Sequence, residues 1–153
     1  MNLLLDTNIL ISVVRSKDYQ GIVQFLNPQR RLVFLSVASE AEIKSIAARN
    51  RWGAGRLEKL DNFLEEVLIV DINQSYINNY IEIDSYSQRL NPNFTTYPFR
   101  TPRNMGKNDL WIAALASLMG LKLITMDGDF DHLDGAFFEL RKITAKELQQ
   151  FLL

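Results

Sequence analysis

The stretch LLLDTNIL, residues 3–10, decides the fold of this chain. Three leucines followed by polar turn-forming residues predict a short buried strand. Asp6, Thr7 and Asn8 precede a new apolar segment, which is the composition of a helix N-terminus. Asp6 is therefore expected where a buried strand passes into a helix, at the edge of an α/β sheet where ligands bind. Because a buried charge is costly unless it is paired, we expect a metal ion beside it.

The rest of the chain alternates predicted strands and helices. Further strands are expected over 31–36, 67–71, 121–125 and 136–140, and helices over 9–15, 18–26, 36–50, 57–67, 75–90, 108–119 and 144–152. This alternation predicts one α/β domain over residues 1–153, with three α/β/α layers and a mostly parallel central sheet of four or five strands. Three prolines and Gly106 predict a long loop over 91–106.

The composition limits the classes of protein to which this chain can belong. With 47% hydrophobic and 23% charged residues the chain is globular, and no apolar run is long enough for a membrane span. The start MNLLLD is too short and too poor in basic residues for a signal peptide. The absence of cysteine excludes thiolate chemistry and suits a reducing compartment such as the cytoplasm. The net charge of −1 and the single His132 indicate neither a strongly basic nucleic-acid binder nor a histidine-rich site.

Four acidic residues are expected at one edge of the sheet. Asp6 ends the first strand, and Asp127 follows the fourth by two residues. Asp109 opens the helix before the fourth strand, and Glu42 lies early in the helix after the second. Each acid also has a structural explanation, as a cap, a helix-dipole partner, a surface residue or a turn residue.

Helical spacing indicates which of these acids point inward. Asp109 shares its face with Ile112, Ala113 and Ala116, which are residues of core type. Glu42 shares its face with Ala38 and Ile46, whereas Glu40 has Lys44 four residues later and resembles a surface pair. This pattern favours Glu42 over Glu40 and an inward-facing Asp109.

Carboxylates gathered in one pocket repel each other unless protons or a cation neutralise them. Oxygen ligands without histidine or cysteine select Mg²⁺ or Mn²⁺. Such ions bind phosphate oxygens and activate water, which points to hydrolysis of a phosphodiester.

Four segments resemble, in order and spacing, the motifs of PIN-domain ribonucleases, and most closely the VapC toxins of type II toxin–antitoxin pairs. The segments are LLLDTNIL (3–10), LSVASEAEI (35–43), GKNDLWIAALA (106–116) and LITMDGDF (123–130). The resemblance implies that Asp6, Glu42, Asp109 and Asp127 are the catalytic and metal-binding acids. Asn8, Thr125 and Asn108 match supporting positions, and Asp129 is close enough to share or replace the role of Asp127.

The resemblance also implies an activity and partners. It implies a Mg²⁺- or Mn²⁺-dependent endoribonuclease that cuts RNA by water attack, leaving a 5′-phosphate and a 3′-hydroxyl. A cognate antitoxin protein and a homodimer are expected partners, and the apolar final helix adds support for the dimer.

Several cationic and aromatic residues are candidates for contact with RNA. Arg15, Arg103 and Lys107 fall in segments that would rim the acidic edge, as do Lys17 and Arg100. Each of these charges is also explained as a solvated loop residue. Tyr97 and Phe99 are expected to pack rather than to stack on bases, Trp111 to be buried or at a subunit contact, and His132 to be a turn residue.

Other functional classes remain open from the sequence. They are a non-catalytic RNA- or protein-binding module, a DNA-directed nuclease of related fold, and a metal-dependent phosphohydrolase of small molecules. Phosphatases that form an aspartyl-phosphate usually need a second acid two residues after the nucleophile, and here that position is Asn8.

Overall fold

The computed structural model describes residues 1–153, and its centre is a five-stranded sheet. The strands are β1 (Leu3–Leu5), β2 (Val33–Ser36), β3 (Leu68–Val70), β4 (Lys122–Thr125) and β5 (Glu139–Lys142). Their order is β3-β2-β1-β4-β5 and every neighbouring pair is parallel. The predicted parallel α/β fold is confirmed.

Helices cover both faces of this sheet. Seven α-helices are present, namely α1 (Thr7–Arg15), α2 (Tyr19–Leu26), α3 (Val37–Arg49), α4 (Ala54–Glu66), α5 (Ile77–Ser87), α6 (Lys107–Met119) and α7 (Ala145–Leu152). Two 3₁₀ helices, Gln74–Tyr76 and Gly128–Leu133, complete the elements. No helix combines the length and the apolar composition that a membrane span requires.

Two hydrophobic cores lie on opposite sides of the sheet. Successive side chains of a strand point to opposite faces. Leu3 and Leu5 accordingly pack among the residues of α1 to α4 and α7, whereas Leu4 packs against α5 and α6. All three leucines are buried, which explains why β1 reads as an uninterrupted apolar run.

The strand order places a crevice between β1 and β4. The chain builds outward from β1 to β2 and β3, and then returns to the other side of β1 to form β4 and β5. Ligands bind at such a switch point, outside the carboxyl ends of the strands. The acidic residues that follow β1 and β4 therefore meet at the expected position.

The helix caps agree with the sequence. Asp18, Ser36 and Thr144 accept hydrogen bonds from backbone N–H groups at the starts of α2, α3 and α7. Gly120 ends α6 in the left-handed region at φ 63°.

Two predicted boundaries are wrong. The helix expected to reach residue 90 ends at Ser87, because Arg89 takes a left-handed φ of 61° and the chain leaves the helix axis. The fifth strand lies at Glu139–Lys142 rather than at 136–140, because Phe138 packs in the core beside α5 and α6 instead of joining the sheet ladder.

Candidate metal centre

Asp6 is the buried acid of the site. It caps α1, where its Oδ1 accepts the backbone N–H of Thr7 at 2.8 Å, and its Oδ2 accepts the hydroxyl of Thr125 at 2.7 Å. Burial raises the pKa of Asp6, the two hydrogen bonds oppose that rise, and the charges of Asp127 and Glu42 add to it. The carboxylate is thus fixed in orientation and surrounded by negative charge.

Thr125 joins the ends of β1 and β4. Besides donating to Asp6, its Oγ1 accepts the backbone N–H of Asp127 at 3.0 Å and is contacted by Asn8 Nδ2 at 3.4 Å. Asn8 Oδ1 in turn accepts the backbone N–H of Met126 at 3.2 Å. Two of the three residues expected to support the site, Asn8 and Thr125, therefore contact the backbone next to or at Asp127.

Three further carboxylates gather near Asp6, which like Glu42 lies outside the close group that they form. Single oxygens of Asp109, Asp127 and Asp129 lie within 4.8 Å of one another. Burial, followed by the charges of Asp6, Asp129, Asp127 and Glu42, raises the pKa of Asp109 to about 6. Burial and the charge of Asp129 also raise the pKa of Asp127. Asp129 thus joins Asp127 in the group rather than replacing it.

Glu42 lies at the exposed side of this group. Its Oε2 accepts the hydroxyl of Thr7 at 2.9 Å, although the residue is more exposed than its helical face predicts. Glu40 instead forms a surface ion pair with Lys44 at 3.1 Å. Of the two glutamates, the structure brings Glu42 to the acidic edge.

A shallow groove runs beside Glu42 on the surface of α3. Asn108, at the start of α6, lines it together with Glu42 and Arg49. Arg49 was not identified from the sequence, although it follows Glu42 by seven residues and therefore lies on the same helical face.

The cationic residues that were expected to contact RNA lie at different distances from the acidic group. Lys107 begins α6 next to the acids, and Arg103 lies close enough to His132 to lower its pKa. Arg15 ends α1, and at 1.5 Å per residue it lies about 12 Å along the helix from Thr7. Arg15 therefore lies at the end of α1 that is away from the acids, and its contact with RNA stays a prediction.

His132 is a buried residue and not an ordinary exposed turn residue. Its Nε2 and the hydroxyl of Ser87 are 2.7 Å apart, and its Nδ1 has no hydrogen-bond partner. Burial, and next the charge of Arg103, lower the pKa of His132 to about 4. The neutral ring packs against Tyr86 and Phe99.

The donor set of the site fits a hard divalent cation. Its ligand atoms are carboxylate oxygens only, and burial together with the neighbouring acids raises the pKa of Asp109, whose charged form a bound cation would stabilise. Mg²⁺ and Mn²⁺ prefer such oxygen donors. Asp109, Asp127 and Asp129 would hold the ion, with Asp6 near them.

Comparisons with known proteins agree with this architecture. The sequence profile of the PIN domain matches residues 3–136. No curated protein matches the chain significantly.

Similar solved structures come from bacteria and include a member of the VapBC family of toxin–antitoxin systems. One is a chain of VapBC2 from Rickettsia felis, which was solved bound to a DNA fragment from the promoter. It shares 21% sequence identity with this chain at a TM-score of 0.71, and the match covers 93% of this chain and 98% of that chain. VapBC-1 from nontypeable Haemophilus influenzae also shares 21% identity, at a TM-score of 0.70 and the coverages 93% and 98%. VapBC-5 of Mycobacterium tuberculosis, a toxin–antitoxin system, shares 23% at a TM-score of 0.59, again with 93% and 98% covered. At these identities the likeness establishes the fold.

Proposed function

Because this chain belongs to the PIN domain family, whose profile matches residues 3–136, we propose that it is a divalent-metal-dependent endoribonuclease and the toxin of a toxin–antitoxin pair. The observation that carries the proposal is the convergence of Asp109, Asp127 and Asp129 near the buried Asp6. A ribonuclease of this kind would act on RNA in the cytoplasm.

The acidic residues have different roles in this proposal, and three of them would bind the metal ion. Asp109, Asp127 and Asp129 would hold Mg²⁺ or Mn²⁺ through carboxylate oxygens. When bound, the ion would acidify water and offset negative charge at the phosphate. Asp6 keeps a single orientation because both its oxygens accept hydrogen bonds within the protein. Its carboxylate would therefore place a negative charge at a fixed position beside the site.

Glu42 has a different role in this proposal. Its Oε2 is occupied by the Thr7 hydroxyl, which leaves Oε1 free at the solvent side of the site. We propose that Oε1 orients the attacking water or accepts its proton. RNA cleavage would then leave a 5′-phosphate and a 3′-hydroxyl, as the resemblance to PIN ribonucleases implies.

Lys107 and Arg103 would bind phosphates beside the site, since both are exposed cations near the acids. Asn8, Thr125 and Asn108 would support the metal ligands.

The test is an RNA cleavage assay with mapped ends. Purified protein is incubated with a mixed RNA pool, and in parallel with single-stranded DNA, in the presence of Mg²⁺ or Mn²⁺. We expect new RNA ends bearing 5′-phosphate, which Asp109→Asn removes and Asp131→Asn leaves intact, because Asp131 pairs with Lys142 at 2.7 Å. The same RNA ends from wild-type protein and Asp109→Asn would refute the proposed nuclease activity. Cleavage of DNA but not of RNA would show that the substrate is DNA.

We further propose an antitoxin partner, which is supported by the toxin–antitoxin system among the similar structures. Expression of the wild-type chain alone should arrest growth, and expression of Asp6→Asn should not. Normal growth with detectable wild-type protein would contradict the toxin role while leaving the nuclease open.

A homodimer also belongs to this proposal, but the final helix does not support it. Leu148 and Phe151 of α7 are buried in this chain's own core. Exposed apolar side chains lie instead on α5 and α6, including Ile81 at 56% and Leu118 at 45% exposure. Sedimentation velocity would show the oligomeric state.

A further inference from the structure

The segment between α5 and α6 has an unusual charge pattern. Residues 85–108 contain four cations and no acidic residue, although acids slightly outnumber bases in the whole chain. The cations are Arg89, Arg100, Arg103 and Lys107. The structure has three ion pairs, Lys44–Glu40, Lys122–Glu139 and Lys142–Asp131, and none of them uses a cation of this segment.

This segment is ordered by its own packing. Residues 88–106, which we call the basic loop, cover a cluster of rings around Tyr86 that includes Phe94, Tyr97, Phe99 and Phe137. Such a cluster holds a loop in one conformation without regular hydrogen bonds between strands.

Polar contacts around the loop leave two of its three arginines available to a ligand. The amides of Asn91 and Asn93 bind the carboxylate of Glu82, so this neighbouring acid does not pair with an arginine. Arg89 donates to the carbonyl of Arg100 at 3.0 Å and lies over the ring of Tyr97, so it braces the loop from within. Arg100 and Arg103 are exposed, and their guanidinium groups make no hydrogen bond within the protein.

The basic loop stands next to the acidic site. Ser87, the last residue of α5 before the loop, contacts His132 of the 3₁₀ helix that carries Asp129. Arg103 lies near His132, and the loop ends at Gly106, the N-cap of the helix that begins with Lys107 and carries Asp109. Both ends of the loop are therefore attached to elements that carry the proposed metal ligands.

We propose that the basic loop binds the backbone phosphates of single-stranded RNA on one side of the bond to be cut, with Arg100 and Arg103 as the contacts. The inference rests on the proposed ribonuclease function. A guanidinium matches the oxygens of a phosphate in a planar, two-point contact, and a loop that is already ordered loses little entropy on binding. Because the loop itself contains no acid and neither arginine forms an ion pair, both guanidinium groups are available for these contacts.

The test measures RNA affinity against salt concentration. A short fluorescein-labelled single-stranded RNA of mixed sequence is titrated by fluorescence anisotropy, and every protein also carries Asp6→Asn so that the RNA stays intact. The loop variant is Arg100→Gln/Arg103→Gln. The matched control is Arg30→Gln/Arg31→Gln, which removes the same charge from two exposed arginines that shortly precede β2, at the opposite end of the strands from the acids.

Each phosphate contact with a single strand contributes about 0.7 to the slope of log K against log salt. We expect the loop variant to reduce that slope by about 1.4 and to weaken binding, with a much smaller change in the control. Equal losses in the two double variants, or an unchanged slope in the loop variant, would overturn the proposal. Binding of a polyglutamate peptide that depends on the loop, with RNA binding unchanged, would overturn it in favour of an acidic protein partner.

Two further measurements distinguish a loss of RNA binding from a loss of folding, and RNA binding from RNA cleavage. Thermal melts report whether the double variant folds, and if it does not, Arg100→Gln and Arg103→Gln are tested singly, each with an expected slope change of about 0.7. RNA binding that depends on the loop, in a protein that cuts no RNA, would sustain this inference and refute the proposed nuclease.

Discussion

At the scale of single residues, Asp109 carries the clearest electrostatic penalty. Its pKa in the folded protein is about 6 because of burial and the neighbouring carboxylates, against 3.8 for a free aspartate. The folded state therefore binds the proton more tightly than the unfolded state does. Stability without metal is fully present below about pH 4 and declines as the pH rises towards 6.

We predict that Asp109→Asn removes this decline. After allowance for solvent screening, the gain in free energy of unfolding at neutral pH without metal should be about 1–2 kcal/mol. Urea unfolding in EDTA, at mildly acidic and neutral pH, measures it. Asp131→Asn serves as the control, because it loses only an exposed ion pair worth less than about 1 kcal/mol. A variant no more stable than wild type at neutral pH would show that folding does not disfavour the charged form of Asp109.

His132 should give the opposite pH dependence. Its pKa falls from 6.5 to about 4 on folding, because the charged ring is disfavoured in its buried position. Stability from this group is therefore present above pH 6.5 and is lost as the pH falls towards 4, by up to about 3 kcal/mol.

We predict that His132→Asn reduces the loss of stability on acidification, since the variant has no group to protonate at this position. Comparison of the two proteins by urea unfolding, each with Asp109→Asn in the background, separates this effect from the acids. The same loss of stability in both proteins would show that protonation of His132 does not cause it.

The residue scale also shows how much of the site the sequence could predict. Asp6 and Asp109 follow from patterns within a few residues, because a strand end and a helical face are local features. The hydrogen bond from Thr7 to Glu42 and the burial of His132 against Ser87 depend on packing between distant segments. Side-chain spacing carries no signal for such contacts.

At the scale of elements, boundaries set by capping were predictable and boundaries set by packing were not. Asp18, Ser36 and Thr144 mark helix starts by their own chemistry. Strand β5 reads ELRK, which has no strong strand pattern, whereas the apolar residues just before it belong to the core beneath the basic loop. Apolar composition alone therefore misplaced the strand.

The basic loop provides an element-scale prediction. Asn91 is 2% exposed, and its Nδ2 donates to both the carbonyl and the carboxylate of Glu82 at 2.9 Å. We predict that Asn91→Ala lowers the free energy of unfolding by about 1–3 kcal/mol, because the partly buried acceptors of Glu82 lose their donor.

The exposed Asn93 supplies the control for this prediction, since Asn93→Ala should cost less than about 1 kcal/mol. Chemical denaturation of both variants measures the difference. Equal costs would mean that the loop is not anchored through Asn91.

At the scale of the whole molecule, the strand order creates the site. Asp6 and Thr125 are 119 residues apart in the chain, yet they share a hydrogen bond because β1 and β4 are neighbours. The sequence indicated parallel strands and so one common acidic edge, but it did not indicate the order of the strands. Only that order explains why residues at both ends of the chain, together with α6, surround one point.

The central claim is that this point binds a divalent cation, and calorimetric titration with Mn²⁺ tests it most directly. Wild-type protein, Asp109→Asn and Asp131→Asn are titrated under identical conditions. We predict that Mn²⁺ binds the wild-type protein and Asp131→Asn alike, and binds Asp109→Asn about tenfold more weakly or not at all. Equal affinity of the wild-type protein and Asp109→Asn, or no binding to the wild-type protein, would contradict the account.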